Sequence, residues 1–343
     1  MRGLVKTSHG VGQVELRDDL PAPTADPGWV VADVIACGVC GTDLHIIDDE
    51  HKHWPPVVLG HEYVVRITEV GEGVSGFRVG ERVVCEQHHG ACGECDACRR
   101  GAIHLCPSKR SPGWGIDGAF ADQVRLPAHL LHRVPDSVPD LAAVVTEPMA
   151  ICVTGLDRAG SVLGKSVAVI GPGPVGLLTA LIARAGGASL VTVLGRQSSQ
   201  SRLDLARSLG LAVVTLEQDG SLPDRPGEQV TEFDVVVETS GAGNALSLAM
   251  TMTRRLGAVV CLGIGGRGPQ PVDYDQAMTR SLTVAFSMSS EYSAWDRALR
   301  LLAAGLDPTP LVTTYSLDKW REMFEAVRAK DVVKAVVLPG KPA

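Results

Sequence analysis

The pattern of apolar and polar positions changes character partway along the chain. Up to about residue 150 the apolar residues come in short runs, Gly12 to Leu16, Trp29 to Ala36, Tyr63 to Val70, Phe77 to Val84 and Ala121 to Leu126. Proline and glycine break these runs, with Pro21, Pro23 and Pro27 marking one turn and Gly71, Gly73 and Gly76 another. Runs of this length bounded by turn formers predict a β-rich body with barrel-like strands. From Ser166 onward apolar strands alternate with helical stretches. Strands are predicted at Ser166 to Ile170, Leu190 to Leu194, Phe233 to Glu238, Ala258 to Leu262 and near Leu282 to Ser287, with a helix over Val175 to Ala185. That alternation predicts a parallel βαβ sheet and an α/β fold class. Helices over Ala294 to Ala304 and Asp318 to Ala329 and a strand over Lys334 to Leu338 close the chain. This tail carries no site-like motif and is expected to return to the first domain.

A chain of 343 residues exceeds what one hydrophobic core usually serves, about 250 to 300 residues, so two domains are expected. Their spans read as 1–152 and 153–290, with 291–343 rejoining the first. Lys and Arg number 32 against 39 Asp and Glu, a net charge of −7. That balance offers no attraction to nucleic acid or to an anionic membrane, and it favours a small-molecule partner. No run of 18 apolar residues occurs and the N-terminus lacks a signal-peptide pattern, so a cytoplasmic protein is expected. Nine cysteines in that setting point to metal binding and buried thiols rather than to a disulfide framework.

The candidate chemistry begins at Cys37 to Glu62. Cys40, His61 and Glu62 offer a thiolate, an imidazole and a carboxylate, a mixture that zinc accepts and that magnesium or calcium would not select; iron or cobalt stays open. Thr42 and His45 follow closely and form a plausible proton path. The plainer readings are a redox pair at Cys37 and Cys40 and a buried polar pair at His61 and Glu62. Cys92, Cys95, Cys98 and Cys106 then place four thiols within 15 residues, the donor set of a closed structural zinc site. An iron–sulfur cluster is the alternative, although its fourth cysteine should follow three residues after the third. Arg99, Arg100, Lys109 and Arg110 make this lobe, about 88–110, locally basic, which reads as a solvated face rather than a nucleic-acid finger. Trp114 to Phe120 is a glycine-rich loop whose aromatics serve either a pocket wall or the core. Glu147 lies in the apolar segment Val144 to Ile151, where a buried carboxylate wants a partner or a metal. It is a candidate third ligand, with helix capping before Pro148 as the other reading.

In the second half, Gly171, Gly173 and Gly176 form a G-x-G-x-x-G turn with Pro174 and Val175 between strand and helix, which matches a dinucleotide-binding turn. The next strand ends at Gly195 and Arg196, where an acidic residue usually holds the ribose 2′-hydroxyl. With the acid replaced, and with Ser198 and Ser199 nearby, Arg196 suits a 2′-phosphate, which favours NADP over NAD. Thr239, Ser240, Gly263 and Ile264 are placed at the carboxyl edge of the sheet, where ligands bind.

Taken in order, Cys40-Gly-Thr-Asp-Leu-His45, Gly60-His-Glu62, the four-cysteine lobe, Glu147-Pro148 and Gly171 to Gly176 resemble the zinc-dependent medium-chain dehydrogenase/reductase family over essentially the whole chain. The resemblance implies a GroES-like catalytic domain interrupted by a Rossmann domain, with the active site in the cleft between them. It implies catalytic zinc on Cys40, His61 and Glu147, with Glu62 ligating or just behind the ligands, and structural zinc on the four lobe cysteines. Glu-Pro at the third ligand position resembles polyol and sugar members such as sorbitol and glucose dehydrogenases, whereas alcohol dehydrogenases usually carry cysteine there. The strand ending Leu-Gly-Arg resembles glucose dehydrogenases that use NADP. The expected activity is therefore hydride transfer between a polyol, sugar or cyclitol and NAD(P), with the proton leaving through Thr42 and His45. A simple alcohol or an amino alcohol such as threonine is the nearer alternative; a zinc-finger regulator of nucleic acid and a metal-dependent hydrolase are the remote ones. A homodimer or homotetramer is expected from the same resemblance.

Overall fold

The computed structural model describes residues 1–223, 232–265 and 268–340. The chain divides into two compact units, Met1–Glu147 with Glu291–Ala343, and Pro148–Ser290. No helix among the described residues is long and apolar enough to cross a membrane.

The first unit is built on a seven-stranded sheet. Its path runs Val312–Ser316, Lys334–Leu338, Trp29–Gly38, Glu62–Val70, Arg82–Cys85 and Leu131–Arg133, and Gln123–Pro127 also pairs with Trp29–Gly38. The apolar alternation along these strands fills one core of Val30, Ala32, Val65, Ile67, Leu126 and Phe120, closed by Trp320, Met323 and Phe324 from the helix Trp320–Ala329. A smaller sheet orders Val14–Arg17, Gly3–Lys6 and Val57–Val58. Gly3–Lys6 and Val312–Ser316 are not predicted by pattern, because a four-residue strand and the polar run Thr-Thr-Tyr-Ser carry too little alternation. Trp29–Gly38 outruns its predicted end at Ala36, since neighbours on both sides supply partners to Gly38: Glu62 faces it in one strand and Val336 in the other. The returning segment is also tied down by His132, whose ring bridges the buried Glu86 at 3.1 Å and Asp296 at 2.7 Å, with Trp295 stacked on it at 5.7 Å.

The second unit is a six-stranded parallel sheet in the order Ala212–Leu216, Leu190–Arg196, Ser166–Ile170, Phe233–Glu238, Thr253–Cys261 and Thr283–Phe286. The central strands Ser166–Ile170 and Phe233–Glu238 are buried on both faces, hence runs such as Val-Ala-Val-Ile and Val-Val-Val. Strand order reverses beside Ser166–Ile170, which places the end of that strand at a topological switch point.

Candidate active site

Cys40 is the N-cap of the helix Gly41–Ile47, an element the pattern did not announce. Its backbone N–H donates to Asp43 Oδ2 at 2.8 Å in a capping box, and Asp43 is wholly buried. This cap fixes the Cys40 thiol, and Asp43 Oδ1 also faces His61 Nδ1 at 3.4 Å. His61 and Glu62 come from the other side, at the start of the strand Glu62–Val70. Gly60 before them has φ of +91°, a left-handed conformation, and a Cβ there would sit 2.8 Å from the Phe120 ring. Glycine is therefore required at that position. One ligand-type atom from each of Cys40, His61 and Glu62 falls within 4.8 Å of the others.

One group that sequence reasoning missed completes this cluster. Lys334, from the strand thought to carry no site, is buried with its ammonium paired to Glu62 and donating to the Val39 carbonyl at 2.9 Å. The pair fits because residue 38 is glycine; a Cβ there would collide with the Glu62 carboxylate. A lone lysine in the strand Lys-Ala-Val-Val-Leu was the available hint. Trp114 lies edge-on to His61 at 5.0 Å and to His51 at 5.5 Å, so it walls the site while Phe120 goes to the core. Cys37 is not a partner of Cys40: it is buried, and burial pushes its thiol well up.

The electrostatics call for a cation. Burial opposes charge on His61, yet Asp43 and Cys40 overcome it and hold the ring well above the usual histidine range. Burial likewise opposes charge on Lys334, and Glu62 overcomes it. Glu147, in the first turn of the helix Thr146–Arg158, falls outside the 4.8 Å cluster but is buried and feels its charges; burial and then Glu62 push its carboxyl up to about 8. The buried Glu62 and Glu147 carboxyls and the Cys40 thiol thus all draw on the Lys334 ammonium, with Lys109 also acting on Glu147. A divalent ion on this soft and borderline donor set would relieve the surplus, which is what zinc coordination offers. Thr42 Oγ1 lies 3.6 Å from Cys40 Sγ. His45, one turn further along the same helix, is exposed and pairs with Glu50 at 2.9 Å.

Cys92, Cys95, Cys98 and Cys106 gather within 4.8 Å, with the Cys92 and Cys106 sulfurs 3.6 Å apart. Zn–S bonds of about 2.3 Å make tetrahedral edges of about 3.8 Å, so this cage has room for a single ion. Four thiolates this close leave no room for a cluster of several irons and their bridging sulfides. Backbone N–H groups donate to the Cys92, Cys95 and Cys106 sulfurs, and they pull Cys106 down to about 6. The lobe's basic residues are not all a solvated face, as the sequence suggested: Arg110 stacks on Trp54 at 3.7 Å, and burial pulls the Lys109 ammonium down near Glu147.

In the second unit, Gly171 follows the strand Ser166–Ile170 with φ of +108°, Gly173 caps the helix Pro174–Ala185, and Pro174 opens it. A Cβ on Gly176 would overlap the Gly171 carbonyl, and Thr239 Oγ1 donates to the carbonyls of Ile170 and Gly171 at 2.9 and 3.1 Å. A Cβ on Gly173 would meet nothing within 4 Å. Tight packing at the first and third glycines and open space at the second match a helix N-terminus shaped for a pyrophosphate. Val175 sits in the first helical turn, its carbonyl accepting from the Cys152 thiol at 3.3 Å. Gly195 is buried and a Cβ there would press on the Pro172 ring at 2.7 Å, whereas Arg196 is exposed and Ser198 lies in the turn that follows. The N–H and hydroxyl of Ser240 both donate to the buried Glu238 at 2.6 Å, another residue that sequence reasoning missed. Gly263 and Ile264, with Glu238, Gly241 and Cys261, line a cavity of about 280 Å³ at the carboxyl edge of the sheet.

Known proteins are similar to this chain along its length. Residues 26–136 match the alcohol dehydrogenase GroES-like domain and residues 174–304 match the zinc-binding dehydrogenase model. A sorbitol dehydrogenase of Halalkalibacterium halodurans is 32% identical, with 99% of both chains covered. An L-threonine 3-dehydrogenase of Anaeromyxobacter sp. (strain K) is 36% identical, with 98% of both covered. A zinc-binding dehydrogenase of Sinorhizobium meliloti 1021, solved with NADP, superposes with a TM-score of 0.90 at 29% identity, over 98% of this chain and 99% of that one. With both family models in place and relatives spanning its length, the chain belongs to the zinc-dependent medium-chain dehydrogenases, a family of oxidoreductases.

Proposed function

We propose that this enzyme oxidises a secondary alcohol of a polyol, sugar or cyclitol, and catalyses the reverse reduction, with NADP as the preferred dinucleotide. The observation that carries the reading is the convergence of Cys40, His61 and Glu62 within 4.8 Å, beside the buried carboxyl of Glu147, in a chain that also has a dinucleotide turn. Cys40, His61 and a carboxylate, Glu62 or Glu147, would hold the catalytic zinc, and the four lobe cysteines a structural one. Zinc bound there supplies Lewis acidity toward the alcohol oxygen, and a bound nicotinamide supplies the hydride acceptor.

The chain's own residues do the rest. Thr42, next to Cys40, takes the proton released from the substrate hydroxyl, and His45, exposed one helical turn away, delivers it to water. Asp43 orients His61, Lys334 pairs with Glu62 in a buried setting, and Trp114 excludes water from one side of the imidazole. For the dinucleotide, the N-terminus of Pro174–Ala185 receives the pyrophosphate and Arg196 the 2′-phosphate. A structural neighbour solved with NADP supports a nicotinamide dinucleotide as the cofactor.

A second reading, oxidation of an amino alcohol such as L-threonine, is favoured by the 36% identity to a threonine dehydrogenase. A panel of sorbitol, glucose, myo-inositol, L-threonine and 2-propanol, scored by nicotinamide fluorescence with each dinucleotide, separates the two. Highest kcat/KM on a polyol with NADP is expected; highest kcat/KM on threonine would replace the first reading with the second. No turnover on any secondary alcohol would overturn both.

A further inference from the structure

A second group of metal-type ligands lies in the first unit and shares no residue with the Cys40 cluster. His9 sits in the turn between the strands Gly3–Lys6 and Val14–Arg17. Asp49 follows the helix Gly41–Ile47, and His53 comes four residues later. One ligand atom from each falls within 4.8 Å of the others, and the two imidazole centroids are 4.7 Å apart.

The state of His53 decides what this group can do. The residue is 5% exposed, and its Nδ1 lies 2.8 Å from the His51 carbonyl oxygen. A carbonyl can only accept, so Nδ1 carries a proton and Nε2 is the ring nitrogen left to bind an ion. That Nε2 is buried without a hydrogen-bond partner, and it points at Asp49 Oδ1 from 3.4 Å. A ring nitrogen facing a carboxylate needs positive charge between them. A formed hydrogen bond would bring the two atoms to about 2.7–3.2 Å. Metal–ligand bonds of about 2.0–2.2 Å instead span tetrahedral edges of about 3.3–3.6 Å. His53 Nε2 to Asp49 Oδ1 is 3.4 Å and His9 Nδ1 to the same oxygen is 3.6 Å.

We infer that His9, Asp49 and His53 form a binding site for a borderline first-row divalent ion such as Zn²⁺, separate from the catalytic and four-cysteine sites. Two imidazoles and one carboxylate select zinc-like ions over magnesium and calcium, and the exposure of His9 leaves the remaining position to water. The ion would clamp the turn carrying His9 to the segment leaving the helix that Cys40 caps. The Lys6 ammonium, held by the carbonyls of Gly10 and Ile47, is near Asp49 and makes this a weaker site than the four-thiolate cage.

The test is equilibrium dialysis of the zinc-loaded full chain against Zn²⁺, with metal counted per chain, for wild type, His9→Ala and Asp49→Asn. His9 is largely exposed, so its removal leaves the fold intact. Wild type should hold one ion more than either variant, and added Zn²⁺ should raise the Tm of wild type more than that of His9→Ala. An equal count in wild type and His9→Ala overturns the site, leaving His53 and Asp49 as an ordinary ion pair. Because the readout is a difference between proteins with identical cysteine sets, it stands or falls independently of the catalytic centre.

Discussion

Replacing Lys334 by methionine tests whether the buried Glu62–Lys334 pair carries the electrostatics of the site. Both side chains are 2% exposed, and Glu147 and Cys40 lie on the same side of the charge balance. Methionine keeps the length and removes the ammonium, which leaves Glu62 as an uncompensated buried charge. Removing one partner of such a pair costs about 3–5 kcal/mol. The unit that contains it has about 200 residues, for which about 1 kcal/mol moves Tm by about 2–4 °C, so a fall of about 6–20 °C is expected. The assay is thermal unfolding of wild type and Lys334→Met after identical dialysis against a chelator, so that loss of metal affects both alike. The double variant Lys334→Met with Glu62→Gln removes both charges and should recover more than half of the loss. A single-variant shift under 2 °C, or a double variant no better than the single, would refute the reasoning.

Arg196→Glu should raise KM for NADP about 10- to 100-fold with little change for NAD, because one charge-assisted contact is worth about 1.5–3 kcal/mol. Initial rates with the two dinucleotides measure this, and an equal effect on both would remove Arg196 from 2′-phosphate recognition. His132 is desolvated, but Glu86 and Asp296 more than offset this and raise its pKa. A raised histidine contributes stability fully below its unfolded pKa of about 6.5 and loses it as pH climbs through the folded value. The Tm gap between wild type and His132→Gln should therefore be larger at pH 6 than at pH 9, and a gap that widens with pH would contradict the pairing.

What the chain disclosed in advance, and what it withheld, follow from the range of the interactions. The strands Ser166–Ile170 and Phe233–Glu238 were legible residue for residue, because strands buried on both faces are nearly continuous apolar runs. The helix from Pro174 was legible from its glycine turn, and the four-cysteine lobe from spacing alone. Lys334 was not, since its partner Glu62 is 272 positions away and meets it only when three strands align around Gly38. Asp43 hid inside a motif read for its cysteine and histidine, although a carboxylate three residues after Cys40 is a capping pattern. The group of His9, Asp49 and His53 was equally invisible, because it forms only when the first turn of the chain packs against the segment after Gly41–Ile47.

The central claim is that Cys40, with His61 and a glutamate, holds an ion that activates an alcohol. Counting zinc per chain in Cys40→Ser beside wild type tests it most directly. One ion fewer in the variant, with dinucleotide binding intact and turnover lost, is the predicted result. An unchanged count with undiminished turnover would contradict the account.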